Sequence, residues 1–165
     1  MLDLSCDLEQ MKQLLVKKDS KFFLVPSKNL LATYKVLWYR SPYGKCKVDV
    51  LKPGVMNIPN MDSDEITYSS SDHLPMMPLL VVFLLKLQGW EDHKNAYREY
   101  LKEKAEIDAK DINYLLPLVA KSEEKLQSMP WIPRGFISRA ESRVKRYVLE
   151  YEDSREYWSI IGFDV

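Results

Sequence analysis

Residues 33–51 read TYKVLWYRSPYGKCKVDVL, and this stretch decides the fold class. Apolar and polar residues alternate both before the segment SPYG at 41–44 and after it, where Val48 and Val50 share one side and Asp49 lies on the other. Alternation with a period of two is typical of strands, and serine, proline and glycine are typical of turns. We therefore predict a β-hairpin over 33–51.

The flanking residues add a helix and further strands. Upstream, 7–18 has apolar residues three and four apart, which predicts a short amphipathic helix. The aromatic, β-branched run 21–26 ends in proline and predicts another strand. Downstream, 60–72 is rich in serine and aspartate, so we predict a loop with a short strand at 66–68.

From residue 79 onward the sequence has helical character. The run 79–87 is apolar on all sides except Lys86, which predicts a buried helix ending near Gly89. We predict further helices over 92–104, over 110–120 with a disturbance at Pro117, over 135–151 and over 154–161. The predicted fold class is α+β, with a small mixed β-sheet packed with C-terminal helices.

The composition is that of a folded domain. Apolar residues make up 46% of the chain and charged residues 29%, which excludes a disordered or collagen-like protein. A length of 165 residues suits one domain. We expect a single domain over 1–165, with a sheet-containing core at 1–75 and a helical part at 76–165.

Charge and cysteine content narrow the classes of partner. Lys plus Arg and Asp plus Glu number 24 each, so no global field favours nucleic acid or a membrane surface. Two cysteines do not make a secreted disulfide scaffold. The first residues lack the pattern of a signal peptide, and no apolar run approaches ~20 residues. We therefore expect a cytoplasmic protein with no membrane partner.

Asp3 and Asp49 are the acidic pair most suggestive of chemistry. Asp3 lies between two leucines, as at the end of a buried strand, and Asp49 lies on a predicted strand. Carboxylates that project from neighbouring strands can hold Mg²⁺, which would bridge the phosphate oxygens of a nucleotide. The alternative is that Asp49 is a solvated strand residue and Asp3 belongs to a frayed terminus.

The wider pattern resembles a known family. The segments that carry the resemblance are LDL at 2–4, ATYKVL at 32–37, KVDVLKPGVMNIP at 47–59, LLKLQGW at 84–90 and IDAKDI at 107–112. They resemble the nucleotidyltransferase fold, and within it the minimal AbiEii-like members and uncharacterised fungal proteins. The resemblance covers residues 1 to about 116.

This resemblance implies a protein that binds a nucleoside triphosphate with Mg²⁺ or Mn²⁺. By position, Asp3 matches the second acid of the family's paired acids and Asp49 matches the third acid, so both are expected as catalytic residues and metal ligands. Met1 stands where the first acid belongs, and the family's Gly-Ser element would lie upstream of it. The implied catalytic site is therefore degenerate, in a chain that looks N-terminally truncated.

Lys47 and Lys86 are the residues expected to bind the cofactor. Lys86 is the only charge in the apolar helix, so its ammonium either faces the triphosphate or extends to the surface on its long stem. Lys47 shares the polar face of the predicted strand with Asp49 and is expected to bind the cofactor there.

Two other functions remain open. The first is a non-catalytic protein-interaction module, with a homodimer as one form, in which a partner covers an exposed sheet edge. The second is an RNA-binding module, because the basic and aromatic residues at 39–47 can grip a single strand. The neutral net charge makes nucleic acid the less favoured partner.

The remaining charged patterns are expected to lie at the surface. His73 and His93 have no metal-binding spacing between them. Arg139, Arg143 and Arg146 lie at helical spacing and form one basic stripe, which we interpret as a solvated helix face.

Overall fold

The computed structural model describes residues 7–29, 31–71 and 73–165. It confirms the α+β class, with helices, a three-stranded sheet and a two-stranded sheet. The chain forms two compact units, which divide between Met56 and Asn57. Each unit has its own secondary structure.

The first unit contains one helix and the three-stranded sheet. The elements are α1 (Leu8–Lys18), β1 (Phe22–Pro26), β2 (Lys35–Ser41) and β3 (Gly44–Val48). The sheet order is β1-β2-β3, and both strand pairs are antiparallel, so the predicted hairpin is confirmed. The turn of the hairpin uses Gly44 at φ +141, a backbone conformation that glycine adopts without steric cost.

The core of the first unit is small. Leu37 on β2 is the one fully buried hydrophobic residue among the described residues of this unit. Phe22 and Tyr39 face each other across β1 and β2, with ring centroids 4.9 Å apart. The helix α1 has no buried residue. Packing in this unit therefore depends on half-buried side chains.

The second unit is mainly helical. Its elements are β4 (Thr67–Tyr68), β5 (Pro75–Met76), α2 (Leu79–Lys94), α3 (Glu99–Lys121), α4 (Arg134–Glu150) and α5 (Arg155–Ile161). The strands β4 and β5 form a short antiparallel pair. All the strand pairs that the structure describes are therefore antiparallel, whereas the mixed sheet that the sequence predicted would include a parallel pair. Single 3-10 turns lie at Ser63–Glu65, Leu126–Ser128 and Glu152–Ser154.

Helix α2 does not end near Gly89, as the sequence suggested, but continues to Lys94. A glycine inside a helix costs only about 1 kcal/mol relative to alanine. Leu87 and Trp90 lie on either side of Gly89 and are almost fully buried. Their burial offsets the cost of the glycine.

Helix α3 is one continuous helix, whereas the sequence suggested two with a gap between them. Ala105 and Ala109 are buried and favour helix, so the residues between the two predicted helices continue it. Pro117 lies inside α3 and has no N–H for the helical bond to the carbonyl of Asn113.

An aromatic cluster lies in the core of the second unit. The ring of Trp158 stacks on Phe83 at 5.3 Å, and it meets Tyr147 and Phe163 edge-on at 6.1 and 5.8 Å. Trp158 is fully buried. The cluster therefore joins α5 to α2 and α4.

None of the helices described here combines the length and the apolar character needed to cross a membrane.

Candidate functional site

A cleft of about 190 Å³ lies in the first unit, where β3 leaves the sheet. Its lining consists of Lys12 from α1, residues 34–37 at the start of β2 and residues 47–51 at the end of β3. Leu37 is paired with Val48 in the sheet register, which brings these two strand ends together. The antiparallel hairpin thus builds the cleft.

The side chain of Lys12 attaches α1 to this cleft. Its ammonium donates to the backbone carbonyl of Lys35 at 2.8 Å and to Oε1 of Glu9 at 2.6 Å. The hydrogen bond from Lys12 lowers the pKa of Glu9. The same ammonium lies 5.7 Å from the ring centre of Tyr34, within the range of a cation–π contact. Lys12 is thereby held at the cleft by three different groups.

Lys47 and Asp49 form an ion pair in the same cleft, with 2.7 Å between Nζ of Lys47 and Oδ1 of Asp49. Both side chains are more than half exposed, so the pair is weak and its members can be redirected by a ligand. Among the described residues, the cleft lining contains the three lysines 12, 35 and 47 and the carboxylate of Asp49. Together with Glu9, which is paired with Lys12, these groups carry a net charge of one positive.

The predicted site residues fall in different parts of the chain. Asp49 and Lys47 lie together in the cleft of the first unit. Lys86 lies on α2 in the second unit. Asp3 lies outside the described residues. The sequence did not identify Lys12, Lys35 or Tyr34 as cleft residues.

Lys86 bridges α2 to two carboxylates of α3. Its Nζ lies 2.6 Å from Oδ1 of Asp108 and 2.7 Å from Oδ2 of Asp111. The other oxygen of Asp108 lies 2.6 Å from Nδ1 of His93. An ionised carboxylate can only accept, so Nδ1 of His93 carries the hydrogen. A phosphate at Lys86 would have to compete with both carboxylates.

The charges of this network stabilise one another. Burial of Asp108 disfavours its ionised form, but the hydrogen bonds from Lys86 and His93 outweigh that effect and lower its pKa. Burial likewise disfavours the charged form of Lys86, and the hydrogen bonds to Asp108 and Asp111 outweigh it, so the pKa of Lys86 is raised. Both groups are charged at neutral pH.

Asp108→Asn should lower the free energy of unfolding by about 2 kcal/mol at neutral pH, because two charge-assisted hydrogen bonds are weakened. A carboxyl with a lowered pKa contributes stability above its ordinary value of 3.8, and this contribution is lost as the pH falls through the lowered value. The difference between wild type and variant should therefore shrink below pH 3.8. Urea unfolding across the pH range measures it.

Asp92→Asn is the matched control, because Asp92 is an exposed carboxylate on the same helix as His93. This variant should unfold like wild type throughout. If the difference in free energy of unfolding between wild type and Asp108→Asn stayed constant down to about pH 2, the ionic role of Asp108 would be contradicted.

The hairpin tip forms a separate basic surface. Arg40 and Lys45 lie over the ring of Phe23 at 5.4 and 5.7 Å. Tyr43 in the turn is fully exposed. Two cationic side chains therefore already cover the ring of Phe23. Tyr43 is the aromatic side chain at the tip whose ring is fully exposed.

A larger cleft of about 480 Å³ lies in the second unit. Its charged lining residues are Glu150, Glu152 and Asp153, and no basic side chain lines it. Such a lining repels phosphate. Among the described residues, this cleft is therefore not a candidate for a nucleotide.

No three His, Cys, Asp or Glu side chains in the described part of the chain are grouped to hold a metal ion. Comparison with known proteins found no family model, no curated protein and no solved structure that matches this chain.

Proposed function

We propose that the first unit binds a nucleoside triphosphate through its phosphate end, with Mg²⁺ or Mn²⁺ as the accompanying ion. The observation that carries the proposal is the position of Lys12, Lys35, Lys47 and Asp49 in one cleft. Lysine ammonium groups bind phosphate oxygens as point charges.

The exposed thiol of Cys46 persists in a reducing compartment, so we propose the cytoplasm as the location.

The dimensions of the cleft favour the phosphate end of the ligand. Pockets that enclose a drug-sized ligand usually measure about 300–1,000 Å³. The present cleft measures about 190 Å³, so it would take one or two phosphate groups while the sugar and base lie outside it. The side chain of Tyr34 is half exposed, and the face of its ring that Lys12 does not cover offers a stacking surface to the base.

The donor set suits a metal ion that arrives with the nucleotide. Mg²⁺ in nucleotide sites is held by one or two carboxylates together with the phosphates. Asp49 is the carboxylate that lines the cleft in the described part of the chain, and it would hold the ion from the protein side. When bound, the ion neutralises phosphate charge.

We propose binding with a reduced or lost transfer reaction. The resemblance to nucleotidyltransferases aligns Met1 with a position where the family has an acid, and a two-metal site needs all three acids. Asp49 and the lysines are sufficient for binding but not for an efficient transfer.

Calorimetric titration of ATP, GTP, CTP and UTP into the full chain should show binding that strengthens with Mg²⁺ or Mn²⁺. Asp49→Asn should remove this metal dependence, because it removes the protein's ligand to the ion. The same variant should strengthen metal-free binding, because the carboxylate no longer repels phosphate and no longer holds Lys47. These opposite effects distinguish a metal ligand from a residue that merely maintains the fold.

Asp7→Asn is the matched control for Asp49→Asn, since Asp7 is an exposed carboxylate of the same unit whose side chain makes no cap bond. Lys35→Ala should weaken binding about tenfold, whereas Lys45→Ala, outside the cleft lining, should not. If none of the four nucleotides binds the wild-type chain with either metal, the proposed function is wrong.

A further inference from the structure

Helix α3 carries an apolar stripe on its outer face. Tyr100, Ile107 and Tyr114 are seven residues apart, and their exposed fractions are 52, 58 and 75%. Leu118 extends the stripe and is half exposed. A spacing of seven residues keeps side chains on nearly the same line along a helix. The stripe is about 27 Å long at the usual rise of about 1.5 Å per residue.

This stripe is not the face that α3 presents to its own unit. Ala105, Ala109, Ile112 and Leu116 are buried in the core, and they lie on the side of the helix opposite the stripe. Large apolar side chains that line up on an exposed helix face are typical of a contact with another helix.

Charged residues flank the stripe in a symmetric order. On one side lie Glu103 and Lys110, and on the other lie Lys104 and Asp111. Each side therefore carries one negative and one positive charge, and the order of the signs is reversed between the two sides. On each side, Ile107 lies midway between the two charged residues, to within half a residue.

We propose that a second copy of this chain docks on the stripe, with the two α3 helices antiparallel and related by a two-fold axis at Ile107. In this arrangement Tyr100 of one copy lies level with Tyr114 of the other, and the two Ile107 side chains meet at the axis. A two-fold interface uses the same surface on both copies, so the surface must complement itself. The stripe does so, because it has an aromatic residue at equal distances on either side of Ile107.

The flanking charges also complement themselves in this arrangement. A two-fold axis across antiparallel helices places each flank against the same flank of the other copy. Glu103 then lies within one residue rise, about 1.5 Å, of the level of the opposite Lys110. Lys104 lies within the same distance of the opposite Asp111. Two attractive pairs form on each side of the interface, and no like charges meet among these four flanking residues.

The geometry within one copy leaves these groups accessible. Asp111 uses Oδ2 for Lys86, and its side chain is 48% exposed. The ammonium of Lys104 lies over the ring of Tyr100 at 6.0 Å, at the edge of the stripe. A single pair of helices covers less than the roughly 1,200–2,000 Å² of a standard stable interface, so the dimer should depend on concentration.

Sedimentation equilibrium of the full chain up to about 1 mM should show a monomer–dimer equilibrium. Ile107→Lys should weaken the dimer about a hundredfold or more, because it places two ammonium groups at the axis. Glu103→Lys should weaken it about tenfold, because the introduced ammonium would face Lys110 of the other copy on both halves of the interface. Both positions are exposed, so circular dichroism should show unchanged folding.

The double variant Glu103→Lys/Lys110→Glu is the decisive test, because it restores opposite charges only between antiparallel copies. In a parallel pair, the same double variant would place a lysine opposite Lys104 and a glutamate opposite Asp111, so like charges would meet. The expected result is a return to the wild-type dissociation constant, with Glu123→Lys, beyond the end of α3, as a neutral control. A wild-type chain that stays monomeric, a dimer insensitive to Glu103→Lys, or a double variant without recovery would each overturn the proposal.

Discussion

Replacing Trp158 with alanine should lower the free energy of unfolding of the second unit by about 3–5 kcal/mol. The indole is fully buried and contacts the rings of Phe83, Tyr147 and Phe163, so its removal leaves a cavity at the centre of the aromatic cluster. Urea unfolding followed by helix circular dichroism measures the loss.

Two further variants show whether the cavity is the cause. The indole Nε1 of Trp158 has no hydrogen-bond partner among the described residues, so the loss does not include a hydrogen bond that the structure describes. Trp158→Phe keeps a ring and removes the unpaired N–H, and it should recover most of the stability. Tyr157→Ala changes a more exposed neighbour and should cost far less. An equal loss in Trp158→Phe and Trp158→Ala would contradict the packing argument.

Glu91→Ala should also cost about 3–5 kcal/mol, because it leaves a buried guanidinium without its partner. Nε of Arg143 donates to Oε2 of Glu91 at 2.9 Å, and the side chain of Arg143 is only 8% exposed. Arg146 is in ion-pair contact with Oε1 of Glu91 but makes no well-aligned hydrogen bond to it. Chemical denaturation of the single variants gives the cost.

A paired replacement separates the cost of an unpaired charge from the value of the ion pair. Glu91→Leu/Arg143→Met replaces both charges with apolar side chains and should be close to wild type. Glu141→Ala, which breaks the exposed pair with Lys145, should cost less than about 1 kcal/mol. If the double variant is as unstable as Glu91→Ala, the ion pair contributes more to the free energy of unfolding than expected.

Local sequence patterns were sufficient to predict the hairpin and the helical character of the second half of the chain. Alternation around Gly44 and the helical spacing of 135–151 depend on neighbours within a few residues, and the structure confirms both. Gly89 shows the limit, because the burial that keeps the helix intact comes from other elements.

Long-range pairing is where sequence interpretation failed. The arginine stripe of α4 was expected to be solvated, but Arg143 is buried against Glu91, 52 residues earlier. Likewise, the partners of Lys86 lie on α3, and His93 shares Asp108 with it. Helical spacing identifies which side chains share a face, but it does not identify the element that packs against that face.

The candidate cleft could be predicted only in part. Asp49 and Lys47 could be named because they lie two residues apart on a predicted strand. In the structure β3 ends at Val48, so Asp49 lies just beyond the strand. Lys12 and Lys35 were missed because the contact between α1 and the start of β2 depends on the tertiary arrangement of the unit. No periodicity in the sequence reports that contact.

The unequal cores of the two units have a consequence for thermal melting. The first unit buries Leu37 fully, whereas the core of the second extends from α2 to α5. A ligand stabilises the part of the protein whose unfolding destroys its site. A melting curve read from helix signal reports mainly residues 57–165, so a nucleotide in the cleft could leave that curve unmoved. Hydrogen exchange at the backbone amides of β2 is the reporter that would shift, because the fluorescence of Trp38 overlaps with that of the three tryptophans of the second unit.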